Sequence, residues 1–200
     1  MTPLSIGEMT EGRTVIAAAF ADDPLLAWIF PDSTLRMHAT AAWLGLFVEA
    51  YADHGRMDVE MRDGMIAAVA LWRIPADAPL RLSRSPALGG LLASIIGSER
   101  AAAIGEGLGV LGAAHPIHEH AYLHFLAVAP AHQKTGLGRR VIQPGLDAAA
   151  QRGLGVHLET TKLANVGFYR SLGFAVTSEF VLEPAGPKAW AMFRPSPARP

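Results

Sequence analysis

The sequence contains no cysteine. That excludes a disulfide framework, a thiolate metal cluster and a cysteine nucleophile. It has almost no net charge, −1 with histidine neutral, so the basic footprint of a nucleic-acid binder is missing. Long apolar runs are missing too. ALGGLLASIIG, residues 87–97, falls well below the ~18 residues that a membrane span requires. The start, MTPLSIGEMTEG, has no basic segment followed by an apolar core and does not read as a secretory leader. Charged residues make up 18% against 50% hydrophobic, so wholesale disorder is excluded and a sizeable core can form. These absences leave a soluble, cytoplasmic protein with no nucleic-acid or membrane partner. Its 200 residues suit one domain spanning 1–200.

Strands alternate with helices. A short strand is expected around Leu4–Ile6, then a helix capped by Thr10 and running to about Ala21. Leu35–Asp53 reads as a second helix. Arg56–Arg62 and Met65–Trp72 flank Asp63-Gly64, the pair that a type I′ hairpin turn favours. Ile66, Ala68 and Ala70 are expected on one face of the second strand, by its period of two. Residues 75–114 are irregular, with helical stretches near 87–96 and 99–111, and suit a lid or insertion over a site. Strands then follow at Tyr122–Val128, Gly155–Thr160, Phe174–Phe180 and Lys188–Arg194, with helices at Gly136–Arg152 and Leu163–Leu172. This order indicates a sheet with helices on its faces.

Two glycine motifs compete for a phosphate. GLGVLG, residues 107–112, matches G-x-G-x-x-G, but that fingerprint needs a strand before it and a long helix after it. Here a helical stretch precedes and Pro116 follows, so a glycine-rich helix end or loop is expected. QKTGLGRR, residues 133–140, has the right context. It follows the strand LHFLAVAP and opens a helix. Gly136 and Gly138 let a ligand approach the backbone without meeting a Cβ. The helix start supplies unpaired N–H groups and partial positive charge. Lys134, Arg139 and Arg140 add to that anion site.

Val128-x-Pro130-x-x-Gln133-x-x-Gly136-x-Gly138 resembles the acetyl-CoA-binding signature of the GNAT superfamily of N-acetyltransferases. LETTKLANVGFYRSLGF, residues 158–174, resembles its second hallmark, in which an Asn precedes a Phe-Tyr pair and a Leu-Gly-Phe. AAAFADDPLLAWIFPD, AVALW, AYLHFLAVAP and KAWAMFRP are similar to the branch that includes puromycin N-acetyltransferase, an antibiotic-resistance type of enzyme. The resemblance covers nearly the whole chain and is weakest at 75–118. It implies an α+β (α/β-like) GNAT domain. The sheet would be mixed and twisted, with six to seven strands, helices on both faces and splayed central strands. Acetyl-CoA would be the co-substrate, wedged between those strands. Gln133, Lys134, Thr135, Gly136, Leu137, Gly138 and Arg139 would hold its pyrophosphate. Leu126, Ala127 and Val128 would pair with its pantetheine arm, and Asn165 would contact it. The acceptor would be a small-molecule amine. A protein or peptide acceptor, a non-catalytic acyl-CoA sensor and a homodimer stay open.

Acetyl transfer to an amine needs a neutral amine, a donor for the developing oxyanion and a proton for the leaving thiolate. With no cysteine to acylate, direct attack in a ternary complex fits. By the resemblance, Tyr169 is the acid, four residues after Asn165 and on the same helix face. An Ala127 or Val128 amide would be the oxyanion donor. The base is open between Glu159, His124 and a water chain. Glu159 shares a strand face with His157 and Thr161. His124 is expected on the face of Leu126 and Val128. Trp28 and Phe30 are candidates for an aromatic amine pocket, with Asp22 and Asp23 to meet a cationic amine. His115, His118 and His120 lie on a proline-containing loop that offers no metal-binding frame. No metal is expected, only a polar rim to the acceptor pocket.

Overall fold

The computed structural model describes residues 5–75 and 86–196; Leu4 and part of the segment expected to form a lid lie outside them. Six strands make one mixed sheet in the order β1-β2-β3-β4-β6-β5. They are β1 (Arg56–Arg62), β2 (Met65–Arg73), β3 (His120–Val128), β4 (Gly155–Thr160), β5 (Ala175–Val181) and β6 (Lys188–Arg194). β3 and β4 are parallel, and the other neighbours antiparallel. Asp63 and Gly64 both have positive φ, at 52° and 79°, which is the type I′ geometry expected for the β1–β2 turn.

The chain opens with α1 (Ile6–Ala19), not a strand. Ser5 is the N-cap and Glu8 closes a capping box with it. Two orphan donors are satisfied there at once, which outweighs the strand propensity of Ile6. Thr10 therefore lies inside the helix, its hydroxyl donating to the Ile6 carbonyl. α2 (Pro24–Ile29) and α3 (Arg36–His54) follow. α1 and α3 pack together, and α1 also covers β2 and β3. α6 (Leu137–Gln151) lies against β1 to β4 within a second buried cluster. α4 (Pro86–Ile96), α5 (Ser98–Ala113) and α7 (Leu163–Arg170) complete the described helices. Gly107–Gly112, the first glycine motif, lies inside α5. Among the described residues no helix is long and apolar enough to cross a membrane.

β2 is the buried centre of the sheet, and its two faces feed two clusters. Ala68, Ala70 and Trp72 join the cluster under α6, while Val69 and Leu71 join the one under α1 and α3. Ile66 departs from the expected alternation and packs with Val69 and Leu71. The register jumps between Glu60 and Met61, so Ala67 is the extra residue of a bulge and the phase flips across it.

Gly145 on α6 lies on the Trp72 indole, and a Cβ there would fall far inside van der Waals contact. Trp72 is fully buried and cannot yield. Gly145→Ala is expected to destabilise by roughly 1–3 kcal/mol through overpacking. That outweighs the gain of up to ~1 kcal/mol that alanine brings to a helix. Exposed Gly105 on α5 has nothing within 4 Å of such a Cβ, so Gly105→Ala is the control, expected to be neutral or stabilising. Urea unfolding of the two variants checks both signs.

Candidate active site

The opening between β3 and β4 organises the site. The strands pair only from His120 to Tyr122 against Gly155 to His157. Past that point β3 stays with β2 as far as Val128, and β4 stays with β6 as far as Thr160. The two strands part, as the family resemblance implied. Among the described residues, one edge of Leu123–Val128 is thereby left without a strand partner. Such an edge accepts an extended ligand as an added strand.

Two cavities meet in this opening. The first, about 610 Å³, is lined by Val128, Gln133, Lys134, Gly136, Gly138 and Arg139, with Phe168 opposite. The start of α6 explains its character. Gly136 is the N-cap at φ 86°, and no side chain caps the helix. Lys134 also has positive φ, 62°. A left-handed loop followed by an uncapped 15-residue helix presents free N–H groups, partial positive charge and two cations to an anion. These residues fit a diphosphate. Gln133 Nε2 donates to the Val128 carbonyl at 3.2 Å and ties the loop to β3. Arg139 donates to Ser171 Oγ at 2.9 Å. Arg140 pairs instead with Glu60 on β1. Thr135, Leu137 and Ala127 do not line the cavity. Thr135 donates to the His132 carbonyl, and Leu137 and Ala127 are core residues.

The second cavity, about 680 Å³, lies under α4 and α5. Leu88, Leu108 and Leu111 from that pair face Trp43, Phe47 and Tyr51 of α3 across it. Arg73, His124, Glu159 and Tyr122 add polar wall. Trp28 and Phe30 line neither cavity. Phe30 is core, edge-on to Trp43. Trp28 donates to the Pro184 carbonyl and fills the space left by Gly107 of α5. The short helix α2 turns both rings away, which a linear reading of the DDPLLAWIF stretch does not reveal.

Phe20, Asp23, Leu126, Asn165 and Tyr169 border both cavities. Asn165 donates to Thr160 Oγ1 at 3.3 Å, so α7 is anchored to the end of β4. Among the described residues the Tyr169 hydroxyl has no hydrogen-bond partner. Burial, and then the charge of Asp23, raise its pKa above the usual phenol value. The shift favours the protonated phenol. Asp23 caps α2, accepting from the Leu25 amide at 2.9 Å and from Thr161 Oγ1 at 2.8 Å. Burial raises its pKa above 3.8, against the pull of those hydrogen bonds.

His124 sits at a break in the β2–β3 register between Leu71 and Trp72. The bulge turns it to the α3 side, away from the expected face of Leu126 and Val128. Its Nδ1 is 2.8 Å from the Tyr51 hydroxyl, and Phe47 is edge-on to its ring. Burial, with Arg73 nearby, pushes its pKa down to about 3. A ring that sheds its proton so readily is a poor store for one taken from an amine.

Glu159 is more heavily engaged. Its Oε1 lies 2.6 Å from His157 Nε2 and 3.4 Å from His115 Nε2. The Tyr122 hydroxyl also donates to it. His115 in turn meets His120, with 2.9 Å between Nδ1 and Nε2. Burial pushes the pKa of His115 down to about 4, although the Glu159 charge opposes this. His115 and His120 of the histidine-rich segment line the second cavity, and β4 completes the group. His157 is distant in sequence, and only strand alternation with Glu159 hinted at it.

The model of a family described as the acetyltransferase (GNAT) family matches residues 83–174. A solved structure described as a histone acetyltransferase HPA2 and related acetyltransferase, from Corynebacterium glutamicum, is 28% identical. The match covers 100% of this chain and 96% of that one, with a TM-score of 0.72. Two others share the fold. The ribosomal-protein-S18-alanine N-acetyltransferase of Escherichia coli is 18% identical, over 99% and 94% of the chains, with a TM-score of 0.55. Arylalkylamine N-acetyltransferase 2 of Aedes aegypti is 18% identical, over 97% of each chain, with a TM-score of 0.57.

Proposed function

We propose that the chain, which shares the GNAT acetyltransferase fold and matches that family's model over residues 83–174, acetylates a primary amine of a small molecule by direct attack in a ternary complex. Acetyl-CoA, the donor, supplies the acetyl thioester. One observation carries the reading: a phosphate-suited cleft and an aromatic cavity meet at Tyr169, Asn165 and Asp23. The uncapped start of α6 receives the pyrophosphate. The free edge of Leu123–Val128 aligns the pantetheine arm, and of the two amides considered as oxyanion donor, Ala127 and Val128, that of Val128 borders the cleft. The unpartnered Tyr169 hydroxyl donates its proton toward the leaving sulfur. The carboxylate of Asp23 receives the ammonium form of the acceptor and holds it at the junction. The amine proton leaves through a water chain along the acceptor wall.

The α4–α5 pair over the second cavity favours a small acceptor over a polypeptide. The relative described as a histone acetyltransferase keeps a peptide acceptor worth testing. Landmarks shared with the puromycin-acetylating branch make that amine worth testing too. The experiment is thermal melting with acetyl-CoA, then thiol release across amines: arylalkylamines, puromycin and short peptides. Acetyl-CoA at 100 times its Kd stabilises by about 2.7 kcal/mol. Release on a small amine supports the reading. Release on peptides alone overturns the acceptor class, and a melting shift without release on any amine points to a sensor.

Asp23→Asn tests the junction. The raised pKa means that the folded protein holds the Asp23 proton more tightly than the unfolded chain. Its stabilising contribution is complete below 3.8 and is lost as pH rises through the raised value. Asparagine removes the buried charge and keeps an oxygen for Leu25 and Thr161. The variant should be at least as stable as wild type at pH 7, with the gap narrowing toward pH 4. Loss of a charge-assisted bond of about 1.5–3 kcal/mol should raise KM for a cationic amine about ten- to a hundredfold.

A further inference from the structure

Glu159, His157 and His115 offer one ligand atom each, all within 4.8 Å of one another. The hydrogen bonds around them settle where the ring protons lie. His120 Nδ1 is 2.8 Å from the His118 carbonyl oxygen. A carbonyl only accepts, so Nδ1 carries the proton, and Nε2 of the neutral ring is a lone pair. His115 Nδ1, 2.9 Å from that lone pair, must donate to it. His115 Nε2 is then itself a lone pair, and it lies 3.4 Å from a carboxylate oxygen, Glu159 Oε1. Two electron-pair donors face each other across this gap. Glu159 Oε1 already accepts from His157 Nε2 at 2.6 Å, so the group left without a hydrogen among the described residues is the His115 Nε2 lone pair.

We propose that this cluster is a binding site for one divalent transition-metal ion of the zinc class, held by His115 Nε2, His157 Nε2 and Glu159 at the inner wall of the acceptor cavity. A cation between His115 and Glu159 turns the facing lone pairs into ligands. Two imidazoles and a carboxylate are a donor set that suits zinc with one coordination position left open. The frame is adequate. His157 and Glu159 are two apart on one face of β4, a strand paired to β6. His157 is fully buried, and its Nε2, 2.6 Å from Glu159 Oε1, makes the ring's one hydrogen bond among the described residues. His120 holds the ring of His115 in the required tautomer, the role that outer hydrogen bonds play around ligating histidines. Tyr122 does the same for the carboxylate.

His115 and Glu159 line the acceptor cavity, so the open position faces the acceptor. A water or an oxygen or nitrogen donor of the acceptor occupies it. The ion orients the bound molecule by a point remote from the transferred acetyl group. This reading adds to the acetyltransferase reading, and its test does not depend on turnover.

The test is titration of chelator-stripped, full-length protein with Zn²⁺ by calorimetry, and with Co²⁺ by visible absorption. One equivalent should bind, with cobalt bands of a low-coordinate nitrogen–oxygen site and a rise in melting temperature. His115→Ala and Glu159→Gln should each weaken binding about a hundredfold and abolish the cobalt bands. His118→Ala, at an exposed ring outside the ligand set, should leave both unchanged. Far-UV circular dichroism verifies folding of each variant. Absence of stoichiometric binding to the wild-type protein overturns the proposal and leaves a proton shared between His115 and Glu159. Binding that survives both ligand substitutions overturns it equally, because the ion would then sit on surface histidines.

Discussion

Tyr169→Phe is expected to lower kcat by about a hundredfold or more, the usual contribution of a positioned acid, while acetyl-CoA affinity stays nearly constant. The phenol occupies the boundary of both cavities, and among the described residues its hydroxyl has no hydrogen-bond partner. Removing one oxygen leaves no unsatisfied group behind, so stability should not fall. The ring keeps its packing against Phe168 and Phe174. Burial raises the Tyr169 pKa, so the wild-type rate should show no alkaline loss from this group in the ordinary phenol range. Steady-state kinetics with separate measurement of acetyl-CoA binding checks the split. Wild-type turnover in the variant would remove Tyr169 as the acid.

Gly138→Val should abolish protection by acetyl-CoA, weakening binding on the order of a hundredfold, about 2.7 kcal/mol. A Cβ at this position meets Phe168 and Val128 at 3.5 and 3.6 Å, ordinary contact distances. The backbone therefore tolerates a side chain. The added methyl groups have only the cleft to enter, where they displace the ligand from the α6 amides. Unfolding by urea should move little, while the acetyl-CoA melting shift disappears. A shift that persists would return the loop to a plain strand–helix connection.

Together the two substitutions separate binding from chemistry. One closes the cleft at the start of α6. The other leaves the cleft open and withdraws a proton from the place where it meets the acceptor cavity.

Much of this protein is local and was readable from the chain. The Asp63-Gly64 turn, the strand into QKTGLGRR and the helix after it follow from short-range backbone preferences. So does the shared face of His157 and Glu159, since strand alternation has a period of two. The Asn165–Tyr169 pair is one helix turn apart and needed no tertiary information. The Ser5–Glu8 capping box was also present in the sequence, and an apolar Ile6 obscured it.

The tertiary structure decided what depends on register and on distant packing. β6 lies between β4 and β5 although it is last in the chain: it folds back on its neighbour β5 as a hairpin and its other edge takes β4, which is separated from it by α7 and β5. Bulges near Ala67 and His124 reversed the side-chain phase, and a bulge depends on the partner strand as much as on its own residues. Phe30 went to the core and Trp28 to a partly buried place against Gly107 because α2 turns them there, and Asp23 came to the junction by the same turn. His115 met His157 and Glu159 only because β3 and β4 pair for three residues and then part. Local preference sets the elements; the meeting of remote side chains needs the closed sheet, since only long-range pairing brings them within bonding distance.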